Sequence, residues 1–139
     1  MVNLEGLKSG KFKGKIVKSE DIPLKQHLEK PEIIENYKKG MDKNLPDFLK
    51  EKGTTQKEID DYKNKRLDAV VTVITYEVTI KDEPRTYTEW FNIPVTGYKK
   101  SNIKKVKDLN ELPDNTDDWV GKTINAYPDS SGFLKLIPE

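Results

Sequence analysis

Three lysines at alternate positions, Lys11, Lys13 and Lys15, have the spacing of a binding surface. Phe12 and Ile16 belong to the opposite set of positions, so the segment predicts a β-strand with one basic face and one face for the core. The basic face could bind a partner. It could equally protect an edge strand, because lysines at an edge prevent pairing with the strands of other molecules.

Two segments of the chain concentrate positive charge although the whole chain is almost neutral. Residues 1–18 and residues 97–108 each carry five lysines against one carboxylate, a net charge of +4 in each segment. Residues 19–67 balance at eleven positive and eleven negative side chains, and residues 109–139 carry a net charge of −4. The lysines of the second basic segment are Lys99, Lys100, Lys104, Lys105 and Lys107.

The most strand-like stretch runs from Asp68 to Val95, where DAVVTVITYEVTI and RTYTEWFNIPV flank the polar connection KDEP. β-Branched and aromatic residues fit a pleated, half-buried surface, and they are denser here than elsewhere in the chain. The pattern predicts a β-hairpin with a four-residue connection from Lys81 to Pro84. Two strands alone are marginally stable, so the other segments are expected to complete a sheet or barrel.

A four-residue connection would divide the hairpin into a core face and an outer face, because side chains alternate along each strand. The predicted core pairs are Val78–Tyr87, Ile74–Phe91 and Thr72–Ile93. The predicted outer pairs are Thr75–Trp90, Val73–Asn92 and Glu77–Thr88. This register makes Trp90 an exposed aromatic residue and leaves Glu89 on the core side near Tyr76. A slip of one residue would exchange the two faces of a strand.

Few residues could catalyse a reaction or bind a metal. His27 is the only histidine and has no evident partner, so a solvated or capping role is expected. Asp114, Asp117 and Asp118 could hold a hard cation, but their spacing does not match an EF-hand and favours a cap or a turn. The chain has no cysteine, phosphate-binding glycine loop or nucleophile elbow. We therefore expect no catalytic residue, metal or cofactor.

Composition indicates one domain with a modest core. The 139 residues are 34% hydrophobic and 35% charged, so we expect a single domain over residues 1–139 with a strongly ionic surface. The net charge of +1 gives no global electrostatic argument for a polyanionic partner. No apolar run approaches membrane length, and the N-terminus lacks the apolar segment of a signal peptide. A soluble cytoplasmic protein without a membrane partner is expected.

The periodicity becomes helical within an insertion at about residues 24–67. Pro31 and Gly40 predict the two ends of one helix, and a second short helix is expected near Pro46. Thr55–Glu58 forms a capping box for a third helix. The segment PDFLKEKGTTQKEIDDYKNKR could form a helix-turn-helix-like module. Its third helix lacks the basic bias of a groove reader, which favours an insertion that covers one end of a barrel.

The C-terminal part predicts a helix followed by a second hairpin. Ile103, Val106 and Leu109 could form the apolar side of a short helix. Residues 120–127 and 133–137 predict two strands, joined by the turn Pro-Asp-Ser-Ser-Gly.

These segments together resemble the OB-fold, a small, partly open Greek-key barrel of five strands with a helix between the third and fourth. The resemblance is carried by GKFKGKIVKSE, the hairpin over residues 68–95, the connection SNIKKVKDL and GKTINAYPDSSGFLKLIPE. It implies a mainly β fold, a five-stranded OB-like Greek-key barrel with a helical insertion between strands 1 and 2. It is similar in particular to the small single-stranded-DNA-binding proteins of bacteriophages and mobile elements. The long insertion departs from their compact pattern.

The resemblance implies a non-enzymatic protein that binds single-stranded nucleic acid, DNA or RNA, with single-stranded DNA as the first expectation, in replication or recombination. Binding would use cations along the backbone and aromatic faces for base stacking, worth on the order of 1–3 kcal/mol per base. The aromatic candidates are Trp90, Tyr76, Tyr87 and Tyr98. The phosphate-contacting candidates are Lys11, Lys13, Lys15, Lys99, Lys100, Lys104 and Lys105.

Other roles for these residues stay open. Trp90 could be a core or interface residue, Tyr76 and Tyr87 could lie in the core, and Trp119 is expected to pack under the last hairpin. The rival function is a protein-interaction or assembly module with the barrel as scaffold, which the near-zero net charge favours. A protein partner and a homo-oligomer are therefore both left open.

Overall fold

The structure of the protein is a computed structural model that describes residues 11–94 and 101–139. In this part of the chain the strands are β1 (Phe12–Pro23), β2 (Val70–Ile80), β3 (Glu83–Asn92), β4 (Thr123–Pro128) and β5 (Leu134–Lys135). The helices are α1 (Leu24–Leu28), α2 (Pro31–Asp42), α3 (Gln56–Asp68) and α4 (Asn102–Asn110). Short 3-10 turns lie at Asp47–Leu49 and Thr116–Trp119.

The predicted fold class is confirmed. Antiparallel strands in the order β3-β2-β1-β4-β5 form a nearly closed, OB-like Greek-key barrel, and α1 to α3 are inserted between β1 and β2. The central strand β1 has β2 on one side and β4 on the other, so the N-terminal strand joins the two hairpins into one sheet. The chain divides into two compact units: one contains the barrel and α4, and the other spans Ile22–Val71.

Strand β1 has the predicted alternation, and Gly14 allows it to approach β2 closely. Phe12 pairs with Ala126 and Gly14 pairs with Ile124 on the core side of β4. A Cβ atom on Gly14 would lie 2.7 Å from the backbone oxygen of Glu77 and 2.8 Å from a methyl carbon of Val78. Only a glycine fits at this point of contact between the two strands.

The connection between β2 and β3 has two residues rather than the predicted four. Lys81 and Asp82 have φ values of 51° and 65°, the left-handed pair of a type I′ turn, whose twist matches that of the flanking strands. A two-residue connection shifts the pairing by two positions and keeps each side chain on its predicted face. The rings of Tyr76 and Tyr87 are stacked with centroids 5.7 Å apart, as expected for residues directly across this turn.

The core of the barrel is formed mainly by the inward positions of the strands. Ile16, Ile74, Val78, Ile124 and Leu136 are at most 1% exposed. At Val73 and Ile93 the predicted burial is wrong. The outer-face residue Val73 is buried because β2 is covered on both faces from residue 71 to 74, and the core-face residue Ile93 is 47% exposed because it follows the end of β3.

Helix α4 packs against β3 and β4 through its apolar side. Ser101 caps its first turn, since the Ser101 hydroxyl accepts a hydrogen bond from the backbone N–H of Lys104. Ile103 and Val106 are buried as predicted, whereas Leu109 is 44% exposed. After the helix, Trp119 is buried in the same core cluster as the last strand, and its indole N–H donates to the carbonyl of Pro113 at 2.7 Å.

The unit Ile22–Val71 contains α1, α2 and α3, with α1 packed on both of the other helices. Pro31 is at the start of α2 as predicted, but the helix continues past Gly40 to Asp42. The expected capping box is present at Thr55, whose hydroxyl accepts from the backbone N–H of Glu58 at 3.2 Å. The expected short helix after Pro46 is a single 3-10 turn.

Candidate functional site

The outer sides of β1, β4 and β5 form one surface, which we call the basic face. Lys13 pairs with Asn125 and Lys15 pairs with Thr123 between β1 and β4, and Tyr127 pairs with Lys135 between β4 and β5. Antiparallel partners lie side by side on the same face of a sheet. With Lys11 added by continuing the β1–β4 register one residue, the outer positions of the basic face are Lys11, Lys13, Lys15, Thr123, Asn125, Tyr127 and Lys135.

The basic face carries positive charge without acidic neighbours at its outer positions. Its four lysines are exposed, and within the described residues none of them forms an ion pair. Asp129, the first carboxylate after β4, is turned towards its own loop, where its Oδ1 accepts hydrogen bonds from the backbone N–H groups of Ser131 and Phe133. The lysine amines therefore form no ion pair within the described residues, although the exposed Glu77 lies on the adjacent strand β2 and Glu89 is near enough to Lys135 for their charges to interact.

The lysines of α4 differ from one another in their partners. Lys104 pairs with Asp108 at 3.1 Å, one turn further along the helix. The Lys107 amine lies 2.6 Å from Asp114, and this hydrogen bond raises the pKa of Lys107 and lowers that of Asp114. Lys105 is exposed and has no ion-pair partner among the residues that the structure describes. Of the two lysines predicted here, Lys105 is the one whose charge is not already paired.

The aromatic candidate Tyr76 lies in the core, which corrects its assignment as a base-stacking residue. Its side chain is 1% exposed and its hydroxyl lies 3.5 Å from the carbonyl of Leu134, to which it donates. Burial, then the charge of Glu89 and then Tyr87, raise the pKa of the Tyr76 hydroxyl. Tyr87 is half-buried and stacks on Tyr76, so one side of its ring is already occupied.

Trp90 lies on β3 and is half-buried rather than exposed. The sheet order places β2 between β3 and β1, so Trp90 is two strands away from the lysines of β1. Its role as a stacking residue stays a prediction. Tyr98, Lys99 and Lys100 lie outside the described residues.

Glu89 lies at the seam where the barrel is not fully closed, between β3 and the C-terminal segment. Its Oε1 accepts a hydrogen bond from the backbone N–H of Leu136 at 3.4 Å. Burial raises the pKa of the Glu89 carboxyl, and the Leu136 N–H and the charge of Lys135 offset part of this effect. The sequence placed Glu89 on the core side, and the structure gives it a backbone partner there.

A cavity of about 600 Å³ opens beside α4 in the barrel unit. Its apolar lining includes Ile103 and Trp119, and its acidic side chains, Asp21 and Asp114, each have a polar partner in the lining. The Thr72 hydroxyl donates to Asp21 at 2.7 Å, and the Lys107–Asp114 pair lies at the same cavity. The described lining residues thus contain no unpaired acid and base facing each other.

The residues considered for metal binding and catalysis do not converge. The described residues contain no group of three or more histidine, aspartate and glutamate side chains that could hold a metal ion. Asp117 and Asp118 lie in a 3-10 turn capped by Asn115, whose side-chain oxygen accepts from the Asp117 N–H at 2.9 Å. This agrees with the predicted turn. His27 lies in the short helix α1.

Sequence reasoning missed four residues of the basic face, Thr123, Asn125, Tyr127 and Lys135. They join the lysines of β1 only through the pairing of β1 with β4, which no local pattern shows. The alternation Thr123, Asn125, Tyr127 before the last turn was the available signal.

The fold and this surface define a mainly β protein with an OB-like barrel and a basic face. Comparisons of the chain with protein-family models, with curated proteins and with solved structures gave no match. Across the described ranges, none of the helices has both the length and the apolar character needed to cross a membrane.

Proposed function

We propose that this protein binds single-stranded nucleic acid, most directly single-stranded DNA, and catalyses no reaction. The observation that carries the proposal is the row of exposed lysines at the start of β1, namely Lys11 directly before the strand and Lys13 and Lys15 within it. They lie next to polar side chains of β4 and form no ion pairs among the described residues. Phosphates are the polyanions that such a row fits, because each contact releases condensed counterions into solution. Stacking of bases on aromatic rings would add affinity without sequence preference.

The size of the electrostatic contribution can be calculated for the β1 lysines. Each phosphate contact on a single strand makes the slope of log affinity against log salt concentration more negative by about 0.7. Three contacts, by Lys11, Lys13 and Lys15, would therefore contribute about 2 to the magnitude of the slope. Extrapolated from about 1 M salt, this raises the affinity roughly 100-fold at about 0.1 M salt.

The proposal is tested by fluorescence anisotropy with a labelled deoxythymidine oligomer at several salt concentrations. Replacing the three β1 lysines by glutamine should weaken binding about 100-fold at about 0.1 M salt and reduce the salt slope by about 2. The matched control replaces Lys39, Lys57 and Lys65 of the helical unit, which are exposed and form no ion pair with any residue that the structure describes, and changes the net charge equally. A uridine oligomer measured in parallel decides between DNA and RNA.

Two results would count against this proposal. No binding by the wild-type protein at low salt would exclude the function. An equal loss of affinity in both triple variants would show that net charge, and not the β1 face, determines binding.

The second candidate function is a protein-interaction or assembly module. It is favoured by Phe48, which is 63% exposed in the helical unit and contacts Tyr62 edge-on with ring centroids 6.4 Å apart. An exposed aromatic residue on a short turn is a suitable anchor for a protein partner. Comparing the sedimentation of the purified wild-type protein with that of the Phe48→Ser variant tests whether the protein forms a homo-oligomer through this residue. Co-purification of a protein without any shift of DNA in a gel would favour this function over the first.

A further inference from the structure

Tyr127 is the aromatic residue that the strand pairing places within the lysines of the basic face. It pairs directly with Lys135 on β5, and continuing the register of β1 with β4 by one residue places Lys11 on its other side. Neighbouring strands are about 4.8 Å apart, so the two lysine positions are separated by about 10 Å with the tyrosine between them. The Tyr127 ring on β4 thus lies between Lys135 on β5 and Lys11, the residue directly before β1.

The surroundings of Tyr127 leave this group accessible. Lys11 and Lys135 are exposed, and the Tyr127 side chain is half-buried, so part of its ring faces solvent. The Glu89 carboxylate is near enough to Lys135 for their charges to interact, but the two side chains form no ion pair. Both lysine amines can therefore contact an anion.

We propose that single-stranded nucleic acid crosses the basic face from β1 over β4 to β5, with one base stacked on Tyr127 and the adjoining phosphates at Lys11 and Lys135. This inference rests on the proposed function and specifies where the strand lies. Every base has a π-face, so a single ring between two cations binds a strand irrespective of its sequence. The two lysines hold the backbone on either side of the stacked base.

The competing path runs over β2 and β3, with Trp90 as the stacking residue. The outer positions of β2 between Trp90 and the β1 lysines include the carboxylate of Glu77, which is exposed. A phosphate backbone on that path would pass a negative charge. The outer positions that pair β1 with β4 and β4 with β5 contain lysines and neutral residues only, which favours the path over Tyr127.

The experiment compares variants at Tyr127, with the same oligomer and the same anisotropy assay. Tyr127→Leu should weaken binding about 5- to 150-fold, the range for loss of one stacked base. Tyr127→Phe keeps the ring and should bind within about twofold of wild type. The matched control is Tyr37→Leu, which replaces a half-buried tyrosine of the helical unit and should leave binding unchanged.

A second variant makes the test independent of the packing of Tyr127. Lys135→Gln changes an exposed side chain and should reduce the salt slope by about 0.7. If the wild type binds and both Tyr127→Leu and Lys135→Gln bind as tightly as the wild type, the path is wrong while the proposed function stands. Loss of binding in Tyr127→Phe would assign the effect to the hydroxyl and overturn stacking. Absence of wild-type binding would instead overturn the function itself.

Discussion

Replacing Gly14 by alanine tests the contact between β1 and β2 on which the barrel depends. The new Cβ would lie 2.7 Å from the Glu77 oxygen, 2.8 Å from Val78 Cγ2 and 3.3 Å from Ile124 Cδ1. The nearest atom belongs to the backbone of β2 and cannot rotate away as a side chain does. Relief therefore requires β1 and β2 to separate, and we expect a substantial loss of stability.

The magnitude follows from two opposing effects. Overpacking of a close-packed core costs about 1–3 kcal/mol, and a contact with backbone belongs at the upper end of this range. Loss of glycine from the unfolded chain returns about 0.4–1 kcal/mol. The net destabilisation is about 2 kcal/mol. The entropy of unfolding is about 2.1 cal/mol/K per residue, so for 139 residues the midpoint temperature of thermal unfolding should fall by about 7 °C.

Tryptophan fluorescence is the suitable assay, because Trp90 and Trp119 both lie in the barrel unit. Urea unfolding followed by this signal reports the barrel even if the helical unit unfolds separately. The control is Gly40→Ala in α2, where an added Cβ has no atom within 4 Å and should stabilise the helix by about 0.5–1 kcal/mol. Far-UV circular dichroism measures that gain. A Gly14→Ala barrel as stable as wild type would refute the close approach of β1 and β2.

Two further substitutions test the barrel seam and the exposure of the tryptophans. Because burial raises the pKa of Glu89, the folded state holds its proton more tightly than the unfolded state, so ionised Glu89 lowers stability as the pH rises above the ordinary value of 4.5. Glu89→Gln should therefore unfold at higher urea than wild type at about pH 7 and at the same urea at about pH 3. A Glu89→Gln variant that is less stable than the wild type at about pH 7 would contradict this. Trp90→Phe should remove most acrylamide quenching of tryptophan fluorescence, because the remaining Trp119 is 1% exposed. Undiminished quenching would show that Trp119 is accessible.

Local patterns were sufficient to predict the strands, and they failed where the connection depended on backbone conformation. Alternation predicted β1 with its lysine side, and capping chemistry predicted the start of α3 at Thr55. The polar residues and Pro84 suggested a four-residue connection after β2. In the structure Pro84 lies within β3, an edge strand, where a residue without an N–H is tolerated.

The candidate surface depended on pairing between distant segments and could be predicted only in part. The exposed lysines of β1 follow from alternation, but their neighbours on β4 follow from the register. Tyr76 has an aromatic ring that could stack on a base, but it is buried because it faces the interior from β2. Trp90 on β3 also has such a ring, and it is half-buried. Aromatic content alone therefore does not identify a binding residue.

A net charge of +1 is compatible with a surface for a polyanion because screening makes the local charges decisive. At about 0.1 M salt, charges separated by more than about 10 Å hardly interact in solvent. The basic face spans about this distance across three strands, so its lysines act together on one stretch of backbone while remote carboxylates contribute little. Affinity should then depend on which lysines are removed and not on how many. The β1 lysines and the three control lysines change net charge equally, and only the former are expected to change the binding of the strand.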